Sequence, residues 1–209
     1  MAECEELVES GGAEEDMPRV VAALAGILER VANRNDAAAA AEVSAVAPAS
    51  AFRATTKPGI SVRAYMARIA RFAGCSPACY VVAYVYLDRL LRRGRLLALA
   101  VDSYSVHRLL ITAVLAAVKF MDDICYNNAY FAKVGGISLV EMNYLEVDFL
   151  FGVGFDLNVA PETFGDYCAV LHSELLCAEA APAPLRLQHC CLSEDDAGAG
   201  CSAQQQLAA

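Results

Sequence analysis

The chain has 209 residues, enough for one ordinary domain with tails, and at 57% hydrophobic it can bury a substantial core. Its formal charge of -9 disfavours nonspecific binding to nucleic acid or anionic membrane by the chain as a whole. Nine cysteines, an odd number behind an acidic N-terminus without an apolar leader, are expected as reduced intracellular thiols in the nucleus or cytoplasm.

Residues 1–16 carry Glu3, Glu5, Glu6, Glu9, Glu14, Glu15 and Asp16 and no base, so they read as a solvated, disordered segment. Residues 17–36 form an N-terminal unit. Val20, Leu24, Ile27, Leu28 and Val31 recur there at helical spacing, which predicts an amphipathic helix over 17–34 that must lie on something else. The alanine-rich stretch from Ala37 to Gly59 reads as a linker, broken at Lys57-Pro58-Gly59.

Residues 60–160 read as a bundle. Ser61 caps a helix carrying Val62, Tyr65, Met66, Ile69 and Phe72, and Gly74 ends it. Ser76-Pro77 opens a helix to about Arg93, apolar on nearly every side and therefore expected to be central, which Gly94 stops. Ser105 is the expected cap of the next helix, which runs to about Asp122. Asn127 or Asn128 caps a short helix that Gly135-Gly136 terminates. Ser138-Leu139-Val140-Glu141 is a capping box opening a helix to about Phe151. Pro161 opens a last helix over 161–178, and 179–209 reads as a disordered polar tail. The class is all-α: five helices, one extra in front and one flanking behind.

Enzyme chemistry is not visible. There is no phosphate loop, no HExxH and no GxSxG. Cys75 and Cys79, and His189-Cys190-Cys191, have no matching second pair at zinc spacing, so no metal and no cofactor are expected. Cys168 and His172 resemble a dyad only in spacing, and a packed thiol is the plainer reading. No apolar run reaches the length of a membrane span. Nine of the sixteen bases fall in 53–95 against one acid, Asp88, which marks a partner surface or a solvated face.

One lysine, Lys119, stands near the end of the almost wholly apolar run Leu109–Met121, where an isolated buried ammonium would be very costly. Arg108, Thr112, Leu115, Lys119 and Asp122 share a spacing of four and three, which predicts a mixed face opposite the core stripe. Glu146 and Leu150 lie one turn apart on the capped helix. Two charges beside apolar contacts would make a docking groove for a partner's backbone. On residues alone the plainer reading is a snorkelling lysine and a surface acid. Asp122-Asp123 is either a solvated loop entry or an acidic handle for a basic partner.

The segments PRVVAALAGILERVANRND (18–36), CSPACYVVAYVYLDRLL (75–91), SVHRLLITAVLAAVKFMDD (105–123) and NNAYFAKVGGISLVEMNYLEVDFLFGVGFDL (127–157), with PETFGDYC (161–168), resemble a cyclin box. The resemblance is to the single-box plant P-type, or U-type, cyclins, which are related to the yeast phosphate-response cyclins. It implies five helices around a central third one and a regulatory subunit that binds and activates a cyclin-dependent kinase, in cell-cycle or phosphate signalling. It implies that Lys119 and Glu146 bond backbone groups flanking the kinase's regulatory C-helix, with Phe120 and Leu150 as apolar contacts. It implies an Arg63–Asp88 pair tying the first box helix to the second. Val62-Arg63-Ala64-Tyr65-Met66 stands where many cyclins carry MRAIL, which implies a degenerate substrate-docking patch at Val62, Tyr65 and Met66. The alternatives are a cyclin-fold adaptor for DNA or a transcription factor, and a kinase scaffold that does not activate. No small-molecule substrate, nucleic acid or membrane partner is expected under the first reading.

Overall fold

A computed structural model describes residues 18–41, 50–93, 99–123 and 126–179. The acidic segment 1–16, part of the alanine-rich linker, the Gly94 stop and the tail with His189-Cys190-Cys191 lie outside the described residues. Among the described residues there are seven helices and no strand: α1 Arg19–Ala41, α2 Val62–Ala73, α3 Pro77–Arg93, α4 Val106–Met121, α5 Asn128–Gly135, α6 Leu139–Gly152 and α7 Pro161–Glu179. Five of them, α2 to α6, form a box, with α1 and α7 packed on its outside.

Local chemistry sets most of the boundaries. Ser61, Asn127 and Ser138 each accept a hydrogen bond from the backbone N–H three residues on, which satisfies a donor that the helix leaves orphaned. Gly74 and Gly136 end α2 and α5 in the left-handed conformation that lacks a Cβ penalty. Two starts differ from expectation. Ser105 makes no side-chain cap bond. Its hydroxyl donates to the Ala100 carbonyl at 2.6 Å, while the Asp102 carboxylate accepts from the N–H of Tyr104 and of Ser105. Asp102 therefore closes the entry turn, with Val106 N–H on its carbonyl. In the Ser138 capping box only half the reciprocity forms, because the Glu141 carboxylate pairs with Arg108.

The first helix is longer than the hydrophobic stripe predicts. It continues through Ala37–Ala41, so the linker begins later than residue 37. Alanine is the best helix former, and Asn35 and Asp36 anchor this end: Asn35 Nδ2 donates to the Val101 carbonyl at 2.8 Å and Asp36 accepts from Ser103. Within the expected linker, Phe52 is fully buried and meets Phe149 edge-on, ring centroids 6.4 Å apart. Arg108 holds the same segment by donating to the carbonyls of Ala51 and Arg53.

The hub is α4. It is buried continuously from Val106 through Val118 except at Arg108, and it packs on α2, α3, α5 and α6. The expected mixed face does not exist: Thr112 and Leu115 are both fully buried. The Thr112 hydroxyl is satisfied within the helix, donating to the Arg108 carbonyl at 2.7 Å. The expected central helix, α3, is buried along most of its length but leaves Leu91, Arg92 and Arg93 exposed. Short α5 lies close to α4 because Gly135 has no side chain; a Cβ there would sit 3.1 Å from Ile111 and 3.3 Å from the Tyr65 hydroxyl.

Candidate functional site

The hub helix ends at the surface, and that end carries the site. After Val118 the chain emerges: Lys119 and Phe120 are both exposed. The Lys119 ammonium donates to Glu146 Oε1 at 2.6 Å, so the charge reaches both a counter-charge on α6 and water. Glu146 is the more sequestered partner, and its other oxygen accepts from Asn128 Nδ2 at 2.6 Å. Asn128 also bonds Asn143 at 2.8 Å, which fixes its amide. The pair thus bridges α4, α5 and α6. An ammonium has three donors and a carboxylate about four acceptor sites, so each group keeps capacity for a further bond.

Around this pair the surface is apolar. A groove of about 530 Å³ is lined by Lys119, Tyr126, Asn127, Asn128, Ala129 and Leu139. Phe120, Met121 and Tyr126 are each about half exposed beside it. On α6, Val140, Tyr144, Val147 and Phe151 form an exposed stripe, while Met142, Leu145 and Phe149 face the core. Exposed apolar side chains gathered in this way mark an interaction surface. Phe155 extends it and is the one non-glycine residue with positive φ among the described residues, at 56°. Its ring meets Phe151 edge-on at 5.1 Å, and its N–H donates to the Leu150 carbonyl. Holding a non-glycine residue in this region costs about 1–3 kcal/mol.

The sequence-predicted residues divide accordingly. Lys119 and Glu146 are brought together; Phe120, next to Lys119 in the chain, is exposed, and Leu150, one turn on from Glu146, is half-buried. Asn128, Tyr126, Tyr144, Val147, Phe151 and Phe155 were not foreseen. A signal existed on α6: it has two apolar stripes, at 142/145/149 and 140/144/147/151, and one helix cannot bury both against a single core. Asp122 is half-buried and accepts a weak bond from the Cys79 thiol at 3.6 Å, so only Asp123 is exposed as an acidic handle. A hydrogen bond to Cys75, followed by burial, pushes the Cys79 thiol well up. Cys168 is fully buried.

Two expectations are corrected. Val62, Tyr65 and Met66 are buried and form the core face of α2, so they offer no docking patch. The Tyr65 hydroxyl is engaged with the Gly135 carbonyl at 3.1 Å, and burial drives its pKa well upward. The Arg63–Asp88 pair is not formed either. Asp88 bonds Arg92 at 2.7 Å and the Tyr167 hydroxyl, which ties α3 to α7. Arg63 is exposed on α2, and α2 packs on α1, α4 and α5 rather than along α3.

A second cleft, of about 300 Å³, lies between α1, the Lys57–Val62 segment and the start of α4, with His107 at its inner wall. His107 Nε2 bonds the Ile60 carbonyl at 2.9 Å, the Tyr65 ring stands edge-on at 4.9 Å, and buried Nδ1 has no partner. Nε2 therefore carries the hydrogen of a neutral ring. Burial lowers the pKa below its ordinary 6.5. The unfolded chain takes up this proton first, so stability is full above pH 6.5 and declines as pH falls below it. Urea titrations at stepped pH should show that slope, and His107→Gln should remove its share of it. An unchanged slope would assign it to groups other than His107.

Among the described residues no group of three His, Cys, Asp or Glu side chains is placed to hold a metal ion, and no helix is long and apolar enough to cross a membrane. The cyclin family model matches residues 18–157. The chain is 63% identical to Cyclin-P4-1 of Oryza sativa subsp. japonica over 198 residues, 92% of this chain and 91% of the rice protein. It is 52% identical to Cyclin-U4-2 of Arabidopsis thaliana over 164 residues, 78% of this chain and 74% of that protein. It is 48% identical to Cyclin-P2-1 of Oryza sativa subsp. japonica over 160 residues, 76% of this chain and 72% of that protein.

Proposed function

Because the chain belongs to the cyclin family, on its plant P-type and U-type branch, we propose that it binds a cyclin-dependent serine/threonine kinase and switches it on. Membership of that family implies a regulatory protein rather than an enzyme, with the catalytic groups supplied by the kinase. The observation that carries the proposal is the Lys119–Glu146 pair at the exposed end of an otherwise buried helix, beside a groove lined by Tyr126 and Leu139 and next to exposed Phe120. Such a surface fits the end of a partner helix: the apolar rim covers its side chains, and the free donors and acceptors of the pair meet its unsatisfied backbone groups.

Activation then follows as a population shift. A kinase helix held by this surface in its inward position completes the kinase's own Lys–Glu pair, and the cyclin supplies the differential binding energy between the two kinase states. The setting is cell-cycle or phosphate signalling. Purifying the tagged chain from plant extract, identifying the kinase that accompanies it and assaying the reconstituted pair tests the reading. Activity well above that of the kinase alone is expected. A stable complex without activity would make the chain a sequestering scaffold, and no kinase at all would remove the proposal.

A further inference from the structure

Most of the basic residues between 53 and 108 are neutralised locally. Arg53 pairs with Asp102, Lys57 with Asp36, Arg89 and Arg93 with Asp156, Arg92 with Asp88 and Arg108 with Glu141. Among the described residues the exceptions are Arg63, Arg68 and Arg71, which stand exposed on α2 without a carboxylate partner; Arg68 and Arg71, three residues apart, share the side toward α5, and Arg63 lies round the helix from them. Neither α2 nor α5, which packs beside it, contains an acid. Arg68 donates to the Lys133 carbonyl at 3.0 Å, which brings the exposed Lys133 of α5 alongside. Arg71 and Lys133 sit in last turns, where they complement the helix ends, but this leaves their side-chain donors free.

The same face is aromatic. The Arg71 guanidinium stands 5.5 Å from the centroid of Phe72, which is 45% exposed. The Tyr130 hydroxyl donates to the Phe72 carbonyl at 2.8 Å, and Tyr126 stacks on Tyr130 at 4.0 Å. Tyr126 also lines the groove beside Lys119, so this face is continuous with the proposed kinase surface.

We infer that the α2–α5 face docks a phosphorylated segment of the kinase's protein substrates. The inference rests on the kinase-partner reading. Guanidinium forks match phosphate oxygens, a phosphoserine brings about two negative charges, and Phe72 and Tyr126 cover a neighbouring apolar side chain. Nucleic acid fits less well, because only three cations, Arg68, Arg71 and Lys133, are set in a chain of net charge -9. A substrate held here lies beside the kinase, so its remaining sites are presented at high local concentration.

The test uses the full chain and a fluorescent peptide with one phosphoserine next to a leucine, read by anisotropy, with the unphosphorylated peptide as control. Phosphorylation should tighten binding about tenfold, and added salt should weaken it. Arg68→Glu with Arg71→Glu, and separately Lys133→Glu, should each abolish the phosphate preference while the circular dichroism spectrum and kinase capture stay unchanged. The Lys133 variant involves no side-chain bond in the free chain, so it reads docking apart from folding. Equal binding of both peptides, or of the phosphopeptide to wild type and both variants, would overturn the inference. Loss of phosphopeptide binding when kinase is added would also overturn it, assigning the face to the kinase contact. Preferential binding of single-stranded RNA would overturn it in favour of a nucleic acid. Failure of kinase capture by the wild-type chain is a separate result and bears on the kinase reading itself.

Discussion

Replacing Lys119 and Glu146 together by alanine is expected to abolish kinase capture while helical content stays unchanged. Truncating one side of a buried charge-assisted contact across an interface costs about 2–5 kcal/mol, which weakens binding roughly 30- to 4000-fold. The free protein should hardly notice. Lys119 is 36% exposed and would recover water if Glu146 were removed. Glu146 would keep its bond from Asn128 if Lys119 were removed. An ion pair this close to solvent contributes at most about 1 kcal/mol to folding. The single variants should not add up to the double one, since the pair acts as a unit. Full kinase capture by the double variant, measured by surface plasmon resonance, would sink the site.

The largest stability loss is expected at Phe52→Ala. This ring is fully buried against Phe149, between a segment without regular structure and the core face of α6. Removing a buried phenyl ring costs about 3–5 kcal/mol, a large share of the stability of a domain this size. The cost includes a cavity that α6, held by its own core contacts, cannot collapse to fill. Urea unfolding should move to a much lower midpoint with little change in slope. A loss below about 1 kcal/mol would mean that residues 50–53 are not docked in solution.

The fold was legible where its determinants are local. Ser61, Asn127, Ser138, Gly74 and Gly136 each act within four residues of themselves, and the seven helices follow from them together with the hydrophobic period. What depended on tertiary contact was not legible. The alanine run after Asn35 reads as low complexity, and only Asn35 and Asp36 reaching Val101 and Ser103 show why it stays helical. Phe52 is one aromatic residue in a polar stretch without a period. Thr112 breaks an apolar stripe by composition, yet its hydroxyl is silenced by the Arg108 carbonyl. The candidate site was half legible: a lone charge in an apolar run singled out Lys119, with Glu146 as a comparable acid on the next long helix, and the family resemblance proposed a partner for them. The Arg63–Asp88 pair and the Val62–Met66 patch were carried by resemblance alone, and the packing of α2 against α1, α4 and α5 removes both.

The bond already made between Lys119 and Glu146 also bears on timing. A long, flexible lysine normally surrenders rotamer freedom at the moment of contact. Here Lys119 already pairs with Glu146 in the unbound chain, and Asn128 holds the acid from behind, which lowers that cost. Encounter with a kinase then requires no rearrangement on this side of the interface, so the association rate should stay in the ordinary range of about 10⁵–10⁷ M⁻¹s⁻¹ for every kinase it meets. Rival kinases would be told apart by how long each stays, and residence time becomes the quantity on which selection acts.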